Sequence, residues 1–169
     1  MATTIRFPGA IVTEREHPVP LDHRRPGGPA ITIFTREVAA PDGLGRPYLV
    51  FLQGGPGFEA ARPTSPPSGW MKRALAEYRV LLLDQRGTGR STPVGSVVPG
   101  PTPAAQAAYL AHFRADSIVL DCEAVRAELG SPPWTVLGQS FGGFTSLSYL
   151  SFAPEGLAAA LITGGLAPV

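Results

Sequence analysis

The sequence has 169 residues, of which 44% are apolar and 16% charged, a composition typical of one globular domain with a sizeable core. The 14 basic and 13 acidic residues nearly cancel, and no dense Lys and Arg cluster suggests a surface for nucleic acid or for a membrane. The N-terminal residues lack the charged and apolar regions of a signal peptide, and no apolar run reaches the roughly 18 residues of a membrane span, so we expect no transmembrane helix. The single cysteine, Cys122, excludes an internal disulfide, so we expect a cytoplasmic protein.

Strand patterns of two kinds follow one another along the chain. Residues 10–22 and 30–40 are β-rich, alternate partly and flank the turn-forming HRRPGGP, which predicts an antiparallel pair. Four later segments are continuous apolar runs, the pattern of strands buried on both faces of a mainly parallel sheet. These runs span residues 47–53, 79–85, 134–139 and 157–165.

Helical patterns lie between these runs. Apolar residues recur at helical spacing over residues 70–78 and again over residues 118–129, where Gly130 is a predicted C-cap. Strands that alternate with helices predict an α/β fold: an N-terminal antiparallel pair, then mainly parallel strands with flanking helices.

The segment between the second and third apolar runs carries two further predictions. The proline-rich residues 91–103 predict a loop, and the alanine-rich residues 104–113 predict an additional helix. Asp116 or Ser117 is expected to cap the helix that follows.

Three glycine-containing motifs follow three of the predicted parallel strands, at the edge where open α/β sheets bind their ligands. The first is QGGPG, residues 53–57, whose glycines allow backbone N–H groups to approach a substrate oxygen. The second is DQRGTGRS, residues 84–91, which matches neither common phosphate-binding motif. In this second motif we expect Asp84 and Arg86 to be buried or half-buried partners that brace the loops around the site.

The third motif, Gly138-Gln139-Ser140-Phe141-Gly142, fits the G-x-S-x-G pattern of a nucleophile elbow. A sharp turn from strand to helix exposes the serine, and the small residues beside it relieve the crowding. The N–H of Phe141 then lies at a helix N-terminus, where partial positive charge stabilises a developing oxyanion. The pattern predicts Ser140 as a nucleophile.

The chain resembles the prolyl aminopeptidases, or proline iminopeptidases, of the α/β-hydrolase superfamily. The resemblance extends nearly from end to end and is carried by VPLDH with RRPGGPAITIFTREV, FLQGGPG, LLLDQRGTGRST and WTVLGQSFGGF. Members of that family commonly have HGGPG where this chain has Gln53. This replacement of histidine by glutamine leaves the glycines of the motif unchanged.

The resemblance implies a serine aminopeptidase that releases N-terminal proline from peptides without a metal or a cofactor. Ser140 would form the acyl-enzyme, and the N–H groups of Gly55 and Phe141 would form the oxyanion hole. Support for the elbow and the loops would come from Gly54, Gly57, Gly138, Gly142, Asp84 and Arg86. The substrate is a peptide, and the resemblance implies neither a nucleic-acid nor a membrane partner.

The catalytic base has no candidate in this sequence. In α/β-hydrolases the triad runs Ser, then Asp or Glu, then His, yet the 29 residues after Ser140 contain no His and no Asp. We expect the upstream histidines and Glu155, a turn residue, to have structural roles; the histidines are His17, His23 and His112.

Residues 1–169 are therefore expected to form the N-terminal part of an α/β-hydrolase domain, through the strand after the elbow. The cap and the C-terminal segment with the triad Asp and His would be absent, and the chain alone would be inactive unless another segment complements it. Two alternatives stay open: a non-catalytic hydrolase-like binding module, and an esterase or lactonase on the same scaffold.

Overall fold

The computed structural model describes residues 2–166, which form one mixed sheet with helices on both faces. The strands are β1 (Thr3–Phe7), β2 (Ala10–Pro20), β3 (Ala30–Ala39), β4 (Tyr48–Leu52), β5 (Arg79–Asp84), β6 (Trp134–Gln139) and β7 (Leu157–Thr163). The α-helices are α1 (Gly69–Ala74), α2 (Pro103–Leu110), α3 (Ala115–Glu128) and α4 (Phe141–Phe152), and a short 3-10 helix spans Pro154–Gly156. None of the helices within residues 2–166 is long and apolar enough to cross a membrane.

The sheet confirms the predicted α/β architecture. Its strand order is β1-β2-β3-β5-β4-β6-β7, with β2 and β3 paired antiparallel as expected and β5, β4, β6 and β7 parallel to one another. The antiparallel part also contains β1, which the sequence analysis did not predict. This strand is short and largely exposed, so it has no buried apolar pattern to signal it.

Most of the predicted helices are present in the structure, and some of their boundaries differ from the prediction. The helix predicted from residue 70 ends at Ala74 and continues to Tyr78 only as turns. The C-cap residue of α3 is Leu129, and the predicted cap, Gly130, is the next residue, with φ of +59°. The predicted cap of α3 is wrong: Arg114 is the N-cap residue, and Asp116 lies within the first turn. Its carboxylate accepts the N–H of Ser117 there and complements the helix dipole from inside the helix.

Two apolar cores lie on opposite faces of the sheet. The larger core packs α3 and α4 against the strands and contains the apolar residues that predicted α3, including Cys122, which is fully buried. The smaller core packs α1 and its following turn against β4 and β5. Burial raises the pKa of the Cys122 thiol well above its usual range, which suits a packing residue.

A buried ion pair joins the elements that surround the larger core. Arg86 follows β5, and its Nε donates to Asp121 of α3 at 2.7 Å; both side chains are fully buried. The guanidinium also donates to the carbonyls of Leu21 at 2.9 Å and His112 at 2.7 Å. One side chain therefore connects the β2–β3 turn, the α2–α3 connection and α3.

The start of α4 crosses the end of β4 at very short range. A Cβ added to Gly142 would lie 1.9 Å from the carbonyl oxygen of Leu52, a backbone atom that cannot rotate away. A Cβ on Gly138 would lie 2.3 Å from the Gly142 oxygen. Only glycine fits at these two positions, so the sequence of the elbow fixes how closely helix and strand approach.

We predict that Asp121→Asn lowers the free energy of unfolding by about 3 kcal/mol or more, because it leaves the buried Arg86 charge without its counter-ion. Urea unfolding measures the change. Glu77→Gln is the control, since Glu77 pairs with Arg73 where both side chains are more than half exposed. That change should cost less than about 1 kcal/mol, and equal losses for the two variants would contradict the role given to Arg86.

We further predict that Gly142→Ala destabilises the protein by about 1–3 kcal/mol, because the new methyl group overlaps the Leu52 carbonyl. The sign of this change in stability is informative, since replacing glycine by alanine within a helix ordinarily stabilises the helix by about 0.5–1 kcal/mol. Gly45→Ala, at a position with no atom within 4 Å of the added Cβ, should change stability by less than about 0.5 kcal/mol. A Gly142→Ala protein as stable as the parent protein would refute the close crossing.

Candidate active site

The three glycine motifs lie together at one edge of the sheet. QGGPG follows β4, DQRGTGRS starts at the last residue of β5, and the serine motif spans the junction of β6 and α4. Because β4 lies between β5 and β6 and all three are parallel, their carboxyl ends share this edge. The geometry is the one that the sequence analysis predicted for the motifs.

Ser140 has the backbone conformation of a sharp strand-to-helix turn. Its φ of 54° and ψ of −115° make it the only non-glycine residue among residues 2–166 with a positive φ. Such a conformation costs about 1–3 kcal/mol and persists only where the surroundings enforce it. Here the Ser140 N–H donates to the Thr163 carbonyl at 2.8 Å, and the Ser140 carbonyl accepts from Phe144 N–H at 3.1 Å. The residue is exposed, so its hydroxyl is accessible from solvent.

The QGGPG loop contacts the serine turn directly. A Cβ on Gly54 would lie 3.1 Å from the Ser140 Cβ and 3.1 Å from the Gln139 carbonyl oxygen. Gly55 and Gly57 have φ of +129° and +107°, values that favour glycine. The loop therefore takes a path that residues with side chains would strain.

Two backbone N–H groups near the serine donate to no residue of the described part of the chain. Among the hydrogen bonds between described residues, none has the N–H of Gly55 or of Phe141 as its donor. Phe141 is the first residue of α4, where the helix dipole adds partial positive charge. Both residues line one cavity with Ser140.

That cavity is small and largely apolar. Its volume is about 280 Å³, and it is lined by Gly55, Ser140, Phe141, Phe144, Gly164 and Leu166. None of these described lining residues is a His, an Asp or a Glu. The sequence analysis did not predict that Phe144, Gly164 and Leu166 border the serine. The signal available in the sequence was the glycine pair after β7, Gly164 and Gly165. In the structure this pair packs against α4, since a Cβ added to Gly143 would lie 2.8 Å from the Gly165 Cα.

Asp84 holds two loops beside the site. The carboxylate is buried and accepts the backbone N–H groups of Ala60 and Arg90, each at 3.0 Å. Burial raises the pKa of Asp84, and the two N–H donors oppose this shift. A Cβ on Gly89 would lie 2.3 Å from Asp84 Oδ2, so the turn closes tightly over the carboxylate. Asp84 and Arg86 are both buried as predicted, but the predicted partnership is wrong, because Arg86 pairs with Asp121 while Asp84 binds backbone N–H groups.

The histidines lie in structural environments. His17 is buried between Thr35 and Glu128, at 2.8 Å and 2.9 Å from its ring nitrogens. His23 contacts Asp121 at 2.8 Å, beside the Arg86 ion pair. His112 follows α2, where the sequence analysis placed it within the helix.

Glu155 and the other acidic groups do not suggest a second centre at this edge. Glu155 is exposed in the 3-10 helix between α4 and β7, a turn position as expected. Within residues 2–166, no three His, Cys, Asp or Glu side chains are grouped as a metal site would require.

Comparisons with known proteins relate this site to a family. Residues 47–169 match the family model of the alpha/beta hydrolase fold. The proline iminopeptidase of Aeromonas sobria is 54% identical over 156 residues, which cover 89% of this chain and 36% of that protein. The proline iminopeptidase of Aspergillus aculeatus is 38% identical over 163 residues, with 89% and 36% covered.

A solved structure agrees with these sequence matches. The crystal structure of a proline iminopeptidase-related protein from Thermus thermophilus superposes with a TM-score of 0.58 at 22% identity, over 90% of this chain and 45% of that chain. The chain thus spans less than half the length of these relatives. The resemblance to the proline iminopeptidases, expected from the motifs, is confirmed for this portion. Because the family model covers most of the sequence, the chain belongs to the α/β-hydrolase family.

Proposed function

We propose that this chain is the nucleophile-bearing part of a serine hydrolase of the prolyl aminopeptidase type, which releases N-terminal proline from peptides. The single observation that carries the proposal is Ser140: an exposed serine with φ of 54° between a strand and a helix. Strain of this kind is retained at functional sites because it orients a reacting group. The conformation matches the role of an acyl-forming nucleophile.

In the proposed reaction Ser140 Oγ attacks the carbonyl carbon of the N-terminal proline residue. The carbonyl π electrons move to oxygen, and the oxyanion accepts hydrogen bonds from Gly55 N–H and Phe141 N–H. Collapse of this intermediate breaks the C–N bond and transfers the proline acyl group to Ser140, and the shortened peptide leaves as an amine. Water then hydrolyses the ester and frees proline.

The serine proton must pass to a base and on to the leaving amine. The residues that line the cavity in the described part of the chain supply no such group. We propose that the base and its carboxylate partner come from a segment outside residues 1–169. The proposal is supported by the triad order of the superfamily and by the coverage of only 36% of the Aeromonas sobria relative.

The size and lining of the cavity support the proposed substrate class. A volume of about 280 Å³ suits a small acyl group such as a five-membered proline ring. Phe141, Phe144 and Leu166 offer apolar surface to the ring methylenes. The names of the relatives, proline iminopeptidases, agree with this class. The cytoplasmic location stays a prediction from the sequence.

We predict that Ser140→Ala abolishes the release of 4-nitroaniline from proline 4-nitroanilide by the product of the longest reading frame that contains this chain. Loss of the nucleophile should reduce kcat by about 10⁴-fold or more. Ser151→Ala is the matched control, because Ser151 is an exposed serine of the same helix and should leave kcat unchanged. Turnover that survives Ser140→Ala would remove Ser140 from the reaction.

The substrates also separate the alternatives. Hydrolysis of phenyl acetate without hydrolysis of the prolyl amide would favour the esterase, and binding without any turnover would favour the non-catalytic module.

We also predict that residues 1–169 expressed alone turn over the prolyl amide at least about 10³-fold more slowly than the longer product. The physical reason is that triad members act as a unit, so a serine without its base retains little of its rate advantage. Initial rates at equal protein concentration measure the difference. Equal rates would contradict the proposal that the base lies outside these residues.

A further inference from the structure

Gln53, the residue between β4 and the glycines of its loop, accepts hydrogen bonds at both its side-chain carbonyl and its main-chain carbonyl. Its side-chain Oε1 accepts the N–H of the next residue, Gly54, at 2.8 Å. Its main-chain carbonyl accepts a hydrogen bond from Gln85 Nε2 at 2.9 Å. Gln85 is itself buried, and its carbonyl accepts from the N–H and hydroxyl of Thr88 at 3.0 Å and 2.8 Å. The donor that fixes Gln53 is therefore well anchored.

One of these two bonds engages an N–H group of the loop. The Gly54 N–H is engaged by the Gln53 side chain, whereas no described residue accepts the Gly55 N–H. Gly54 also contacts the serine turn, since its added Cβ would lie 3.1 Å from Ser140 Cβ. Fixing the peptide before Gly54 therefore restricts the position of the next peptide, which carries the Gly55 N–H, relative to Ser140.

We propose that Gln53 is a positioning residue for the oxyanion hole: its side-chain carbonyl, by holding Gly54 N–H, directs Gly55 N–H toward the oxygen that becomes negative. The inference rests on the proposed serine-hydrolase function and adds a residue to it. An amide neither gains nor loses a proton in the working range of an enzyme, so it holds the loop independently of pH. A histidine could hold the same N–H only while one ring nitrogen is unprotonated.

The surroundings of Gln53 permit a clean substitution series. Its side chain lines a cavity of about 370 Å³ on the α1 side of the sheet, together with Gln139 and apolar residues of the strands. A side chain of similar size therefore has space without displacing β4. Gln53→Met keeps length and removes the acceptor, and Gln53→His replaces it with a titrating acceptor.

The experiment uses the product of the longest reading frame and two readouts. The first is kcat and KM for proline 4-nitroanilide. The second is the rate of Ser140 phosphonylation by a 4-nitrophenyl alkylphosphonate, whose phosphoryl oxygen requires the oxyanion hole but not a proline-binding pocket. Gln106→Met is the matched control, because Gln106 is a glutamine in α2 whose side-chain amide donates to the Gly100 carbonyl.

Gln53→Met should lower kcat and the phosphonylation rate about tenfold with KM unchanged, because a misdirected donor weakens only transition-state binding. Gln53→His should approach the parent protein at pH 8, and its kcat relative to the parent should fall at least about threefold below pH 6, under the usual imidazole pKa of about 6.5. This recovery with pH separates positioning from a general loss of stability. Gln106→Met should change neither readout.

Unchanged kcat and phosphonylation in Gln53→Met would overturn the inference, as would a Gln53→His profile that stays parallel to that of the parent. Failure of the proposed substrate class looks different: the parent protein would be phosphonylated on Ser140 without hydrolysing the prolyl amide. In that case the phosphonylation rates of the variants still decide the role of Gln53.

Discussion

The close crossing of α4 over the end of β4 is the constraint from which the rest of the site follows. The Leu52 carbonyl of β4 occupies the space where a side chain at Gly142 would lie. Because position 142 is glycine, α4 can cross β4 at this distance and begin one residue after β6. The chain must then reverse within one residue, and Ser140 adopts φ of 54° as a result. Hydrogen bonds to Thr163 and Phe144 keep it there. The strained conformation of Ser140 and the close contact between α4 and β4 thus depend on each other.

Buried polar groups hold the loops around this turn where apolar packing cannot. Asp84 joins the loop after β4 to the loop after β5, Arg86 connects three elements through one guanidinium, and Gln53 orders the peptide beside the serine. Each group has hydrogen-bonding atoms that water would otherwise satisfy, so leaving one unpaired would be costly.

Much of this arrangement follows from the sequence, because continuous apolar runs and glycine spacing are local signals. They predicted β4 to β7 and the serine turn. The sequence did not predict β1, since an exposed strand of five residues is defined only by its pairing with β2. It gave Arg86 the wrong partner, Asp84, and it did not predict the Gln53 bond or that Leu166 lines the cavity at Ser140. These contacts depend on how distant segments pack, and no spacing within the chain encodes them.

The most direct test of the account is a crystal structure of the longer product with a phosphonate bound covalently to Ser140. The account predicts that the phosphoryl oxygen lies about 2.7–3.1 Å from the nitrogens of both Gly55 and Phe141, with Gly54 N–H still bonded to Gln53. A phosphoryl oxygen that points away from these two nitrogens, or a Ser140 with ordinary helical φ, would contradict it.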